Sequence, residues 1–258
     1  MTWPATFGKI LLVRTDSYYD EDYWNDGKHS GPEWPEPFFQ RIMAPVLSGG
    51  AVLDYGCGLG YCYQRQLVRS MKRYVGADAS GMAVENARKK GLEAVQVETS
   101  TGGVPLPGGS FDAAVCIEVF EHLFDPLGAA REINRVLKPG GVLVATVPNF
   151  GYHAWRMLAF LRAQVPLEPD GDRFKGVHIR FFSKRMFQRL LREAGFTDVK
   201  VGSYGKSSIW DVFQATGPGA WITTVARRHF PEPLHFRFLE RVWPNVFAER
   251  LRAVARKP

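Results

Sequence analysis

The residues best placed to do chemistry lie in the run Val52-Leu53-Asp54-Tyr55-Gly56-Cys57-Gly58-Leu59-Gly60. Three glycines at alternate positions follow a short apolar stretch and open a helix-like one. Glycine permits a tight turn and lets a ligand approach the backbone closely. The helix that follows offers free N–H groups at its start. Asp54 stands two residues before the first glycine, and Asp78 closes the next apolar stretch, 18 residues after Gly60. That spacing puts a carboxylate beside the ribose of a nucleoside bound at the turn, where it can accept two hydroxyl hydrogen bonds. A dinucleotide site prefers G-x-G-x-x-G, so that a helix N-terminus meets a pyrophosphate. Here the spacing is G-x-G-x-G, and the carboxylate before it would repel a pyrophosphate. The turn suits a nucleoside ligand that carries positive charge.

Histidine is the natural base for a hydroxyl nucleophile near neutral pH. His122, His153 and His178 are the candidates. His122 lies four residues beyond Glu118, His153 directly follows Tyr152, and His178 precedes Arg180-Phe181-Phe182. Cys57, Cys62 and Cys116 are the only cysteines, and they show none of the paired Cys/His spacing of a metal centre. No metal is expected from them, and they read as small buried apolar residues.

Positioning these groups requires a parallel sheet. The runs 51–55, 73–78, 94–99, 111–119 and 141–147 are short, apolar on both faces and rich in β-branched residues, as strands covered on both sides should be. Helix-like segments fall between them at 61–72, 81–90 and 126–137. Ser80 is placed as an N-cap and Gly91 as a stop. Leu127, Ala130, Ile133, Val136 and Leu137 share one helical face. This alternation predicts βαβ units with right-handed crossovers, an α/β doubly wound fold. Near the end, Ser183 caps a helix over 184–194 that stops at Gly195, and a strand follows near 198–204. Residues 249–257 alternate apolar and basic side chains, which suits an edge or half-exposed strand. Residues 1–48 form an N-terminal lid or helical segment, and 49–258 form the main domain. Within the latter, 149–177 and 205–247 stand as insertions, the usual place for lids and binding surfaces.

The chain has 258 residues, 45% apolar and 23% charged, which excludes wholesale disorder. Three cysteines exclude a disulfide scaffold and point to a reducing compartment. The first residues lack a basic stretch followed by a long apolar one, so a cytoplasmic location is expected. The formal net charge is +7, but residues 51–152 are neutral, 1–50 carry −3, and 153–200 and 225–258 carry +5 each. The basic excess therefore sits where substrate specificity should lie.

Together these motifs resemble the class I S-adenosylmethionine-dependent methyltransferases, in the small-molecule branch of type 11/23 kind. VLDYGCGLG matches that family's nucleotide loop and VGADAS its second-strand acidic motif. LPGGSFDAAVCIEVFEHLFDP and LKPGGVLVATVPN match its fourth- and fifth-strand motifs, and HIRFFSKRMFQRLLREAGF resembles the segment before its sixth strand. The resemblance implies a Rossmann-like seven-stranded sheet with the last strand antiparallel, and S-adenosylmethionine as cofactor. It places Asp54 under the methionine part and gives Gly56, Cys57, Gly58 and Gly60 the close backbone approach. It gives Asp78 the ribose hydroxyls and sets Ala79 and Ser80 beside the adenine. Glu98 or Thr99 stands near the adenine amino group, with Thr99 preferred. Glu118 lies next to the sulfonium. Tyr19 and Tyr23 belong to a segment that folds over the cofactor in relatives; an aromatic staple on the core's outer face is the other reading.

The implied activity is methyl transfer to a small-molecule acceptor, at oxygen, in a natural-product, sugar or lipid pathway. A second reading is an RNA or protein methyltransferase using the basic C-terminal face. A third is a cofactor-binding protein without turnover. The aromatic and basic segment 205–247 fits an acceptor wall or a homodimer contact, a peripheral membrane face, or RNA stacking. No RNA-binding module signature accompanies it, so nucleic acid is not expected. An acceptor bearing a carboxylate or phosphate would suit Arg227, Arg228, Arg237 and Arg241.

Overall fold

The computed structural model describes residues 39–58, 70–98, 101–152, 178–204, 246 and 248–258. They form one seven-stranded sheet: β1 (Ala51–Tyr55), β2 (Arg73–Asp78), β3 (Glu93–Gln96), β4 (Phe111–Ile117), β5 (Leu137–Pro148), β6 (Thr197–Tyr204) and β7 (Arg250–Arg256). The order across the sheet is β3-β2-β1-β4-β5-β7-β6. The first five strands pair in parallel, and β7 lies antiparallel between β5 and β6. The helices are α1 (Ala44–Leu47), α2 (Gly81–Lys89), α3 (Pro126–Val136) and α4 (Lys184–Glu193).

β1 shows why the sheet is buried on both sides. All five of its residues are buried. Leu53 and Tyr55 face a core built with Ala130, Ile133, Val136, Phe187 and Leu191 from α3 and α4. Val52 faces the other way, against Met43, Leu47 and Tyr74. Strand period two thus sends alternate residues to two separate cores.

Helix starts follow the expected capping chemistry. Ser80 Oγ accepts from the Ala83 N–H at 3.1 Å and Ser183 Oγ from the Met186 N–H at 3.3 Å. Asp125 caps α3 by accepting from the Gly128 N–H at 2.8 Å. Gly91 and Gly195 follow α2 and α4 with φ of +79° and +92°, the left-handed stop that glycine supplies.

Several boundaries differ from the sequence expectation, each for a local reason. β3 runs over 93–96 rather than 94–99, because Glu98 turns back to bridge Gly103. β4 ends at Ile117 because Glu118 takes φ +53°. β5 opens at Leu137, four residues before the expected start, and pairs Leu137 with Phe111 across an irregularity in register. Met71 and Lys72 are not helical, since the Lys72 N–H already donates to Gly50 O at 2.9 Å on the way into β2. β7 is half-exposed by alternation but is no edge strand; the edges are β3 and β6. Among the described residues no helix is long and apolar enough to cross a membrane.

Candidate active site

The strand order reverses direction between β1 and its two neighbours, and such a switch point opens a crevice at the carboxyl ends of the strands. The glycine turn leaves β1 there. The N–H groups of Gly56 and Cys57 both donate to Ala77 O of β2, at 2.7 and 3.1 Å. Gly56 and Gly58 have φ of +78° and +48°, so the turn needs residues without a Cβ. The Asp78 carboxylate then pins the turn: Oδ2 accepts from the Gly58 N–H at 2.8 Å and Oδ1 from the Ser80 N–H at 2.9 Å. Asp54 is buried on the sheet face that also carries Tyr74, whose hydroxyl donates to Asp54 Oδ2 at 2.7 Å. Cys57 packs over Gly76, where a Cβ would fall 2.8 Å from its sulfur. Burial first, then the nearby Asp78 and Asp54 charges, push the Cys57 thiol well up, so it is an inert thiol rather than a nucleophile.

The second part of the site is the turn after β4. Glu118 is one of two described non-glycine residues with positive φ, a conformation that costs energy and is held only when surroundings enforce it. Its N–H donates to Thr146 O at 3.1 Å and is also 3.2 Å from Thr146 Oγ1. Its Oε2 lies 3.4 Å from Arg250 Nε of β7. The chain then makes a short 3-10 turn, Phe120–His122, which buries Phe120 and Glu121. The Glu121 carbonyl accepts from the N–H groups of Ile179 and Arg180, both at 3.0 Å, and Arg180 Nη2 donates to Phe124 O at 2.6 Å. These bonds dock residues 178–181 onto the β4 turn. They bring the His122 and His178 rings to 4.9 Å, although the two are far apart in sequence. Burial, with the Arg250 charge, lowers the His178 pKa below its ordinary 6.5, so its imidazole is neutral at neutral pH. Burial and the adjacent Glu118 charge push the Glu121 carboxyl well up.

The two parts touch. A Cβ on Gly56 would overlap the side chain of Val119, the residue between Glu118 and Phe120. The loop that would cradle a nucleoside is therefore packed directly against the turn that carries Glu118, Glu121 and His122.

Residues 30–201 match the profile of a family described as a methyltransferase domain. The chain belongs to the class I S-adenosylmethionine-dependent methyltransferases. Among its relatives, a Mycobacterium tuberculosis protein named "Probable S-adenosylmethionine-dependent methyltransferase" is 31% identical over 167 residues, covering 62% of this chain and 53% of that protein. The ubiquinone biosynthesis O-methyltransferase of Chromobacterium violaceum is 29% identical over 164 residues, covering 58% of this chain and 65% of that enzyme. Matches to these curated relatives thus span between half and two thirds of their length. The crystal structure of an Archaeoglobus fulgidus S-adenosylmethionine-dependent methyltransferase has the same fold, with a TM-score of 0.54, 14% identity and coverage of 97% and 94% of the two chains.

The donor set of this chain fits its family's cofactor. An acceptor-only carboxylate, Asp78, is fixed at the end of β2 by two main-chain N–H groups, as vicinal ribose hydroxyls require. Two buried carboxylates, Asp54 and Asp78, make the loop electronegative, which suits an ammonium and a sulfonium.

Other expected site residues fall as follows. Ala79 is half-buried, and its carbonyl accepts from Gln96 Nε2 at 3.0 Å. Ser80 is fully buried with its hydroxyl committed to capping α2. Glu98 is exposed. Cys116 is buried in the core, and burial pushes its thiol up. Gly60, Cys62, Thr99, His153, Tyr19 and Tyr23 lie outside the described residues, as do Arg227, Arg228, Arg237 and Arg241.

Sequence reasoning missed three contributors. Tyr74 was legible in principle, since period two puts it on the Asp78 side of β2. Arg250 faces Glu118 only because β7 inserts beside β5, where it pairs with Pro148. Glu121 joins His122 and His178 through the docking of a distant segment, and no linear spacing reads that.

Proposed function

We propose that this protein transfers a methyl group from S-adenosylmethionine to an oxygen atom of a small-molecule acceptor. When bound, the cofactor supplies an electrophilic methyl on a sulfonium. The observation that carries the reading is the paired His122 and His178 at 4.9 Å, on a turn packed against the nucleotide loop. Methyl transfer is an in-line displacement, so the main demand is to hold the acceptor oxygen in line and close to the methyl. A hydroxyl acceptor also needs a group that takes or weakens its proton, and a neutral imidazole does so near pH 7. Burial of His178, and then the Arg250 charge, favour that neutral form. Asp78 would hold the ribose hydroxyls, and the loop at Gly56 and Gly58 would approach the nucleoside.

Oxygen as the target also agrees with the name of the Chromobacterium violaceum relative. Exposed Ile179 in the docked segment, with exposed Phe124 and Phe150 near it, favours an acceptor with an apolar part. Buried free thiols at Cys57 and Cys116 suit a reducing, cytoplasmic setting. The test is release of S-adenosylhomocysteine on a panel of phenols, hydroxylated lipids and sugars, with mass spectrometry locating the methyl. Release on the panel with the new methyl on oxygen supports the reading. Turnover only on RNA or protein, or cofactor binding without turnover on any of these, would refute it.

A further inference from the structure

Among the described residues, the fully buried Glu121 is the side chain with both polar atoms left without a hydrogen bond. A buried ionised carboxylate without a partner is costly. Protonation does not remove the problem, because the new O–H would itself lack an acceptor. Its nearest cationic candidate does not serve either. His122 Nε2 lies 3.8 Å from Glu121 Oε1, beyond hydrogen-bond reach.

The surroundings supply a different partner. One ligand atom each from Glu121, His122 and His178 lies within 4.8 Å of the others. Two imidazoles and one carboxylate are a common donor set for first-row metals that keep coordination positions open. We infer that Glu121, His122 and His178 form a binding site for a divalent first-row transition-metal cation. The Arg250 charge acts on Glu121 without bonding to it, and the cation gives the carboxylate the direct partner that no described hydrogen bond supplies. Glu118, whose carboxylate faces Arg250, sits on the same turn and adds negative charge to the neighbourhood. With three protein ligands, open positions remain for water or for an acceptor oxygen.

The site lies on the turn that packs against the nucleotide loop, through Val119 on Gly56, so a metal-bound oxygen and a nucleoside in that loop would be neighbours. A Lewis acid lowers the pKa of a bound hydroxyl, so its proton would pass to water, the oxygen would take the methyl as the S–C bond breaks, and S-adenosylhomocysteine would leave, with the imidazoles acting as metal ligands and not as the base. That role rests on the proposed oxygen transfer; metal binding itself does not.

The test uses the full chain, stripped with a chelator and titrated with Co2+ alone, then with Zn2+ in competition. Wild type should bind one equivalent, with the visible absorption of low-coordinate Co2+, and Zn2+ should abolish the signal. His122→Ala and His178→Ala should each weaken Co2+ binding by roughly 100-fold or more, since even an outer-shell partner is worth about 10- to 100-fold. S-adenosylmethionine titrations report separately on fold and cofactor site, and both variants should retain cofactor affinity. Wild type that binds neither ion more tightly than about 1 mM, a ΔG near −4.1 kcal/mol, overturns the site. So does Co2+ affinity unchanged in both variants. If a histidine variant does not fold, the wild-type titration and the near-isosteric Glu121→Gln still decide. Stripped protein that transfers methyl as fast as the metal-loaded form overturns the catalytic role. Failure to transfer methyl in either form instead counts against the proposed function.

Discussion

Gly56→Ala is the sharpest probe of how the nucleotide loop and the β4 turn depend on each other. Two separate costs are built into the position. Gly56 has φ +78°, and forcing an L-residue into the left-handed region costs about 1–2 kcal/mol. The new methyl would also overlap Val119 Cγ2 and lie 3.1 Å from Cγ1. Over-packing of that kind costs about 1–3 kcal/mol. The total is about 2–5 kcal/mol, and at roughly 2–4 °C per kcal/mol for a domain of this size it lowers Tm by about 4–20 °C. Val119→Ala removes both methyls that the new Cβ would strike but leaves the backbone strain. In the double variant the clash is relieved, so the two substitutions should couple by about 1–3 kcal/mol, well outside the ~0.5 kcal/mol scatter of independent sites. Urea unfolding of the four proteins measures this. Additive single effects would refute the packing of the glycine loop against the β4 turn, and with it the physical link between the two halves of the proposed site.

Asp78→Ala should weaken S-adenosylmethionine binding by at least about tenfold, because one charge-assisted hydrogen bond is worth about 1.5–3 kcal/mol; calorimetry that shows equal affinity would count against its assigned role. Ser80→Ala and Ser183→Ala each remove an N-cap hydroxyl. Each should cost about 1 kcal/mol in urea unfolding, and Thr substitutions should restore most of it. Asp112 gives a pH signature. The Lys138 ammonium and the Ala51 N–H hold its carboxyl below the ordinary 3.8, so its contribution is present above that value and is lost as pH falls through the depressed one. Asp112→Asn should flatten that part of the acid limb. The effect is small, because this pair is half-exposed, and an acid limb unchanged by the substitution would show that the pairing adds nothing.

The glycine turn after β1 was legible because its geometry is local. Asp54, Gly56 and Gly58 lie within five residues, and Asp78 ends the adjacent strand. Capping followed the same logic: Ser80, Ser183, Gly91 and Gly195 act on backbone groups within one helical turn, so their types alone announced the ends of α2 and α4. Boundaries were read less well where tertiary context wins. The Val-rich run at 111–119 looked like one strand, but Glu118 leaves it to face Arg250. Alternation at the C-terminus correctly gave a half-exposed strand without giving its neighbours.

The sequence by itself determined the fold class and the cofactor family, because period, capping and glycine spacing are short-range properties of the chain, whereas the pinning of the loop by Asp78 through the Gly58 and Ser80 N–H groups is seen only in the structure. Only the tertiary structure decided what gathers at the turn after β4. Docking of residues 178–181 onto the Glu121 carbonyl brings together two imidazoles and a buried carboxylate. The insertion of β7 between β5 and β6 sets Arg250 against Glu118. Those contacts join segments distant in the chain, and only the packing of the sheet fixes which of them meet.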